Sequence, residues 1–132
     1  MTEKITIDDL YSDAGSFDEE AVLKILKGRV IFTREHEIQF TTDPSKLKAR
    51  DAVLLYALAK KVLKANQKID DEIITRAEIV AKTRVNDNTI GVTLMRLGPN
   101  KGKQILMPSG SGYEMPTFKV AEALKLLTKK EE

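Results

Sequence analysis

Residues 46–65, KLKARDAVLLYALAKKVLKA, carry apolar side chains nearly all the way round a helix. Leu47, Ala52, Val53, Leu54, Leu55, Tyr56, Ala57, Leu58, Ala59, Val62 and Leu63 leave no continuous polar face. A helix on a protein surface shows one apolar stripe, and a helix that is apolar all round is buried on more than one side. The rest of the chain must therefore be arranged around this element, and its second side is a place for another subunit. The unbroken apolar run, Ala52 to Ala59, is eight residues long, against the roughly 20 that span a bilayer. The N-terminal MTEKITIDDL is acidic and lacks the apolar core of a signal peptide. A soluble, cytoplasmic protein is expected.

Ahead of this helix, residues 1–15 read as weakly ordered, with a short strand at Lys4–Ile7. Ser16 and Glu19 have the spacing of a capping box, which predicts a helix from Phe17 to Lys27 ended by Gly28. Arg29–Thr33 and Ile38–Thr42 are β-branched and aromatic runs around Arg34-Glu35-His36-Glu37, the pattern of a hairpin with a charged turn. Asp43-Pro44-Ser45 supplies a break and a cap for the long helix. After it, Asn66 to Ile74 reads as a polar connection. Thr75 and Glu78 form a second capping box for a short helix, Arg76–Thr83, and Arg84-Val85-Asn86 is a tight turn. Asn86 caps a third helix, Asp87 to Leu97, which Gly98-Pro99 stops. Lys103–Met107 and Tyr113–Met115 read as strands around the turn Pro108–Gly112, and a last helix runs from Thr117 to Lys130.

The segment Ile79 to Ile90 resembles the helix-turn-helix signature, with Val85 after the turn, Asn86 as the small polar cap, and Thr89 and Ile90 one turn into the next helix. Gly98 to Met115 is similar to the wing of the winged helix-turn-helix family, with Ser109–Gly112 at its tip. The likeness covers about two thirds of the chain. Arg84 stands where that family often has Gly, and Val80 where a small residue usually lets the two helices approach. The resemblance implies a mainly α (α+β) fold: an N-terminal helix plus β-hairpin extension over residues 1–44, and a winged helix-turn-helix domain over 45–132.

It also implies double-stranded DNA binding, without catalysis, by a transcription regulator. The major groove, roughly 12 Å wide, admits one helix. At 100° per residue, Ile90, Leu94 and Leu97 share one face of helix 87–97 and should bury. Asn88, Val92, Met95 and Arg96 lie opposite, with Thr89 and Gly91 on the flanks. Asn pairs with adenine edges, Arg with guanine or phosphate, and Val with a thymine methyl. Gly91 would let the backbone approach the groove. The free N–H groups at Asp87–Thr89 suit a phosphate, which the Asp87 carboxylate opposes. Arg76, Arg84, Lys101 and Lys103 are candidates for the phosphate backbone, and Ser109 and Ser111 for a phosphate or the minor groove. The broad apolar helices 46–65 and 117–130 suggest a homodimer with two half-sites.

Charge is distributed in keeping with an anionic partner for the second part. Residues 1–44 hold five Lys/Arg against ten Asp/Glu, and residues 45–132 seventeen against ten, for a net charge of +2. The chain has no cysteine and one histidine, which leaves neither disulfide framework nor transition-metal set; no cofactor is expected. His36 falls in the hairpin turn. Gly98 to Lys103 differs from a phosphate-binding loop in spacing, in Gln104 for Ser/Thr, and in Pro99, which removes an N–H. The pairs Asp8-Asp9, Glu19-Glu20 and Asp70-Asp71 read as caps and solvated surface, and no nucleophile–base pairing is visible. A reading from another class is a winged helix used as a protein-interaction module, with Val92 and Met95 as its contact patch. RNA binding finds little support, since aromatics make up 5% of the chain.

Overall fold

The computed structural model describes residues 17–41, 48–98 and 105–128. Among them the chain is a mainly helical α+β protein. Its order is α1 (Glu19–Leu26), β1 (Val30–Phe32), β2 (Ile38–Phe40), α2 (Ala49–Ala65), α3 (Arg76–Thr83), α4 (Asp87–Leu97), β3 (Met107–Ser109), β4 (Gly112–Glu114), a 3-10 turn (Thr117–Lys119) and α5 (Val120–Thr128). The strands form two separate antiparallel hairpins, β1–β2 and β3–β4.

All of Ala52–Ala59, together with Val62 and Leu63, lies buried. The surrounding elements belong to the same chain: α1, α3, α4, α5 and β2 all contact α2. The apolar positions of the helix are thus covered from within one chain, while Lys64 and Ala65 at its end stay exposed. A single apolar cluster runs from Val22 and Leu26 of α1 and Val30 and Ile38 of the first hairpin, through α2, to Ile79, Ile90, Leu94, Met115, Val120 and Ala123. Two lysines interrupt this helix without breaking the packing. Lys61, 5% exposed, donates to Glu72 Oε1 at 2.6 Å. Lys60 reaches Glu78 Oε2 at 2.8 Å and the Ile73 carbonyl at 3.1 Å. Buried lysines persist only when paired in this way.

Local details differ from expectation at four places. The N-cap of the first helix is Asp18, whose Oδ1 accepts from Ala21 N at 3.1 Å, and the expected cap Ser16 lies outside the described residues. Glu19 Oε2 instead accepts from Asn66 Nδ2 at 3.0 Å, which ties α1 to the end of α2. Ile74 is no part of a polar connection: it is fully buried and exchanges two 2.8 Å backbone bonds with Tyr113. Strand β3 starts at Met107 and includes Pro108 and Ser109, which moves the turn to Gly110-Ser111 and the return strand to Gly112–Glu114. The reason is that Ile105 and Leu106 are buried and both donate to the Leu97 carbonyl, at 2.9 and 3.0 Å, before any ladder begins. Finally, Thr117–Lys119 forms a 3-10 turn ahead of α5, not its first turn. The expected strand at 4–7, the cap at 43–45, the first turn of the long helix at 46–47 and the segment 99–104 lie outside the described residues, as do Lys129 and Lys130.

The β3–β4 hairpin is held close to the chain that precedes α3. A Cβ at Gly112 would run into the Ile74 carbonyl, so only glycine fits there. Gly110, at φ +56, takes the left-handed position of the two-residue turn. No helix among the described residues is long and apolar enough to cross a membrane.

Tyr56 links α2 to α3 by donating its hydroxyl hydrogen bond to Glu78. Burial in the first place, and the bond to the Glu78 carboxylate in the second, raise its pKa well above the ordinary value near 10. A group whose folded pKa is raised contributes stability that is complete below the unfolded value and lost as pH climbs above it. The stabilisation from Tyr56 should therefore persist to about pH 10 and fall away at more alkaline pH. In an alkaline titration followed by phenolate absorbance and helical circular dichroism, the Tyr56 signal should appear only as the helices melt, and Tyr56→Phe should delete that late step. Ionisation of Tyr56 ahead of unfolding would contradict the assignment.

Candidate nucleic-acid interface

The capping box expected from sequence is present. Thr75 Oγ1 accepts from Glu78 N at 3.1 Å, and Glu78 Oε1 accepts from Thr75 N at 3.4 Å. Helix α3 ends where Arg84 enters the left-handed region at φ 61, its N–H donating to the Val80 carbonyl at 2.8 Å. The turn is fixed from inside by Thr83, a buried residue whose hydroxyl donates to the Ile79 carbonyl at 2.8 Å and accepts from Val85 N at 3.2 Å. Asn86 then caps α4, its Oδ1 accepting from Asn88 N at 2.7 Å. Val80, half-buried, packs against the core, and α3 and α4 lie in contact despite its bulk.

Helix α4 has the two faces that its periodicity predicts. Ile90, Thr93, Leu94 and Leu97 are buried. Asn88, Thr89, Val92, Met95 and Arg96 are exposed, Val92 by 44% and Met95 by 54%. Most of the DNA-reading candidates thus share one outward surface. Neither Arg84 nor Arg96 makes an ion pair or side-chain hydrogen bond among the described residues, so both cations face solvent uncommitted.

Arg76, expected as a contact to the phosphate backbone, is engaged within the chain. Its guanidinium binds Asp87 through two bonds of 2.9 Å, Nε to Oδ1 and Nη2 to Oδ2. This pair crosses from the first residue of α3 to the first of α4 and neutralises the carboxylate at the α4 N-terminus. Gly91 does permit a close approach, but the visitor is Arg76: a Cβ at Gly91 would sit 2.7 Å from the guanidinium carbon. The expectation that Gly91 opens the helix backbone to a groove is corrected accordingly.

The second hairpin is pinned at two points, to the end of α4 through the Leu97 carbonyl and to the chain before α3 through Ile74. Ser111 is exposed at its tip and Ser109 is half-buried. Lys101 and Lys103 lie outside the described residues. Sequence reasoning passed over Lys48 and Arg50 at the start of α2. They line one cleft with Thr89 and Arg96 of α4, and the basic run Lys46-Leu47-Lys48-Ala49-Arg50 was the available signal.

A second cleft of about 440 Å³ lies between the first hairpin, α2, the α2–α3 connection and α3. Its lysines are engaged by its carboxylates, Lys60 with Glu78 at 2.8 Å and Lys82 with Glu37 at 3.6 Å. His36 stands at its edge, exposed, in the left-handed conformation. No group of three or more His, Cys, Asp or Glu side chains among the described residues is placed to hold a metal ion.

No protein-family model, curated protein or solved structure matches this chain. Its function is to be read from the surface itself.

The Arg76–Asp87 pair sets up a test in which two small energies oppose each other. In Gly91→Ala the obstacle is the tip of a flexible side chain, so Arg76 swings away and the pair breaks. Both partners are about half exposed, at 48% and 62%, and such a pair contributes at most about 1 kcal/mol. Alanine in a helix interior gains about 1 kcal/mol over glycine. Denaturant melts should place Gly91→Ala within about 0.5 kcal/mol of the parent, while the Arg76 side-chain resonances move to solvent-like positions. A loss several times larger would mean that the pair holds α4 in place.

Proposed function

We propose that this chain is a winged helix-turn-helix protein that binds double-stranded DNA and carries out no chemistry on it, acting in the cytoplasm as a transcription regulator. The observation that carries the reading is the outward face of α4. A helix firmly seated by Ile90, Leu94 and Leu97 presents Asn88, Thr89, Val92 and Arg96 to solvent. That is the mixture of amide, hydroxyl, methyl and guanidinium groups that base edges in a major groove accept. The α3–α4 pair with its tight turn, followed by a hairpin pinned beside it, supports the winged form. Arg84, Lys101 and Lys103 would hold the phosphate backbone, and Ser109 and Ser111 at the second hairpin would meet a phosphate or the minor groove. Arg76 serves this surface indirectly, by neutralising Asp87.

A homodimer remains part of the proposal, resting now on α5 alone. Leu124, Leu126 and Leu127 of that helix are half-buried in the single chain, whereas α2 has no apolar face left to offer. A second reading, a protein-interaction module, is favoured by the exposure of Val92 and Met95 on the same face of α4.

Fluorescence anisotropy of a labelled random-sequence duplex, at several salt concentrations, separates the two readings. Non-specific affinity on the order of 1–100 μM that weakens steeply with salt is expected for the DNA reading. Absence of binding at low salt, with the protein folded, would overturn it in favour of a protein partner at Val92 and Met95.

Arg84 gives a sharper prediction, because its conformation and its charge pull in opposite directions. A non-glycine residue at φ 61 carries a backbone cost of about 1 kcal/mol that glycine avoids. Arg84→Gly should raise stability by up to about 1 kcal/mol in thermal melts. It should also weaken the duplex uniformly across sequences and lower the salt slope by about 1. A variant that gains stability and binds DNA as before would remove Arg84 from the interface.

A further inference from the structure

The cleft of about 440 Å³ between the first hairpin, α2 and α3 has the size of a small-molecule site, about 300–1,000 Å³. Part of its lining is apolar: Ile38 and Leu63 are buried and Ile69 is half-buried. Its charges do not balance. Four carboxylates, those of Glu37, Asp70, Asp71 and Glu78, share the lining with two lysines, Lys60 and Lys82. Each lysine is already answered, Lys60 by Glu78 at 2.8 Å and Lys82 by Glu37 at 3.6 Å. Asp71 accepts a backbone bond, Ile73 N to Oδ1 at 3.0 Å, and meets no cation among the described residues. Asp70 has neither hydrogen bond nor ion pair among them. Two negative charges are therefore left over beside an apolar wall. The hydrogen-bonding groups lean the same way. Tyr56, buried in that wall, spends its one donor on Glu78, and Lys60 gives a second bond to the Ile73 carbonyl at 3.1 Å. A ligand that fits this lining brings positive charge, N–H donors and an apolar surface of its own.

We propose that the cleft binds a small organic cation, a primary amine on a short apolar stem. The ammonium lies against Asp70 and Asp71, where its three donors meet carboxylates that no cation of the chain answers. The stem covers Ile38, Leu63 and Ile69. Charge-assisted bonds are roughly twice as strong as neutral ones, so the head group supplies selectivity and the stem supplies buried area. A metal ion fits less well, because no group of three or more His, Cys, Asp or Glu side chains among the described residues is placed to hold one. A ligand with its own carboxylate would meet a surplus of its own sign. The site is independent of the DNA reading, since none of the residues proposed to meet DNA lines it.

The test is titration of the full chain, isotopically labelled for NMR, with hexylamine, hexanol and hexanoate in parallel, three ligands with one stem and different heads. Hexylamine should shift the amide signals of Glu37, Ile38, Ile69, Asp70 and Asp71 saturably. Hexanol should bind there about tenfold more weakly, and hexanoate should not bind. Replacing Asp70→Asn and Asp71→Asn together should weaken hexylamine about tenfold or more, the cost of its charge-assisted bonds, and bring it level with hexanol. Asparagine keeps an oxygen for Ile73 N, so the fold of the connection is retained, which the unshifted remainder of the spectrum checks. Glu20→Gln, on α1 outside the cleft, should leave hexylamine binding unchanged. Equal binding of all three ligands would make the cleft a plain apolar hollow and overturn the proposal. So would the absence of a saturable shift, a shift spread over every exposed carboxylate, or hexylamine binding indifferent to the double replacement. The comparison of the three head groups on the parent chain decides the matter even where the double variant folds poorly.

Discussion

Eight consecutive residues of α2, Ala52 to Ala59, have no side facing water, and the other elements are placed by the need to enclose them. Burying a large aliphatic side chain is worth about 1.5–3 kcal/mol, so a helix with Leu54, Leu55 and Leu58 all within 1% of full burial organises the chain around it. The enclosure is closed with polar bonds where it meets α3. Glu78 accepts from Thr75 N within its own helix and from Tyr56 and Lys60 of α2. A single carboxylate therefore both starts α3 and docks it. Because α4 follows after a three-residue turn, the orientation of the outward surface descends from that same junction.

Much of this was legible in the sequence, and particular residues show why. Helices α3 and α4 were bounded to the residue because their caps are local chemistry: the Thr75–Glu78 box, Asn86, and the stop at Gly98. The division of α4 into buried and exposed faces followed from periodicity alone. The misreadings share a cause, which is that long-range bonds overrode local signals. Glu19 had the spacing of a capping box but is held by Asn66, distant in sequence. Ile74 sat among polar neighbours and became core because Tyr113 pairs with it. Ile105 and Leu106 looked like strand and were drawn instead to the Leu97 carbonyl. The Arg76–Asp87 pair left no mark in local spacing, since it joins the starts of two successive helices.

The two clefts at either end of α2 show how one helix can divide a surface electrostatically. Near its C-terminal half, Lys60 is neutralised by Glu78, and Lys82 of α3 by Glu37 across the same cleft. At its N-terminal end Lys48, Arg50 and Arg96 line the other cleft, with Arg50 paired to Asp51 at 3.0 Å. A modest overall charge of +2 says nothing of how charges are distributed between two such clefts. Local field, not net charge, decides what such a surface attracts.

The seating of α4 also bears on how a chain like this changes over generations. Every bond that fixes the helix comes from its inner face, its cap or its ends, so Asn88, Thr89, Val92, Met95 and Arg96 contribute little to holding it. Substitutions at those five positions are close to neutral for the fold, since surface changes away from caps and core rarely move stability by more than about 0.5 kcal/mol. Descendants of this protein can therefore change the chemistry of that face while Glu78, Thr83 and Ile74 keep the scaffold constant. Variation should accumulate along one stripe of one helix, and divergence in surface chemistry should run ahead of divergence in shape.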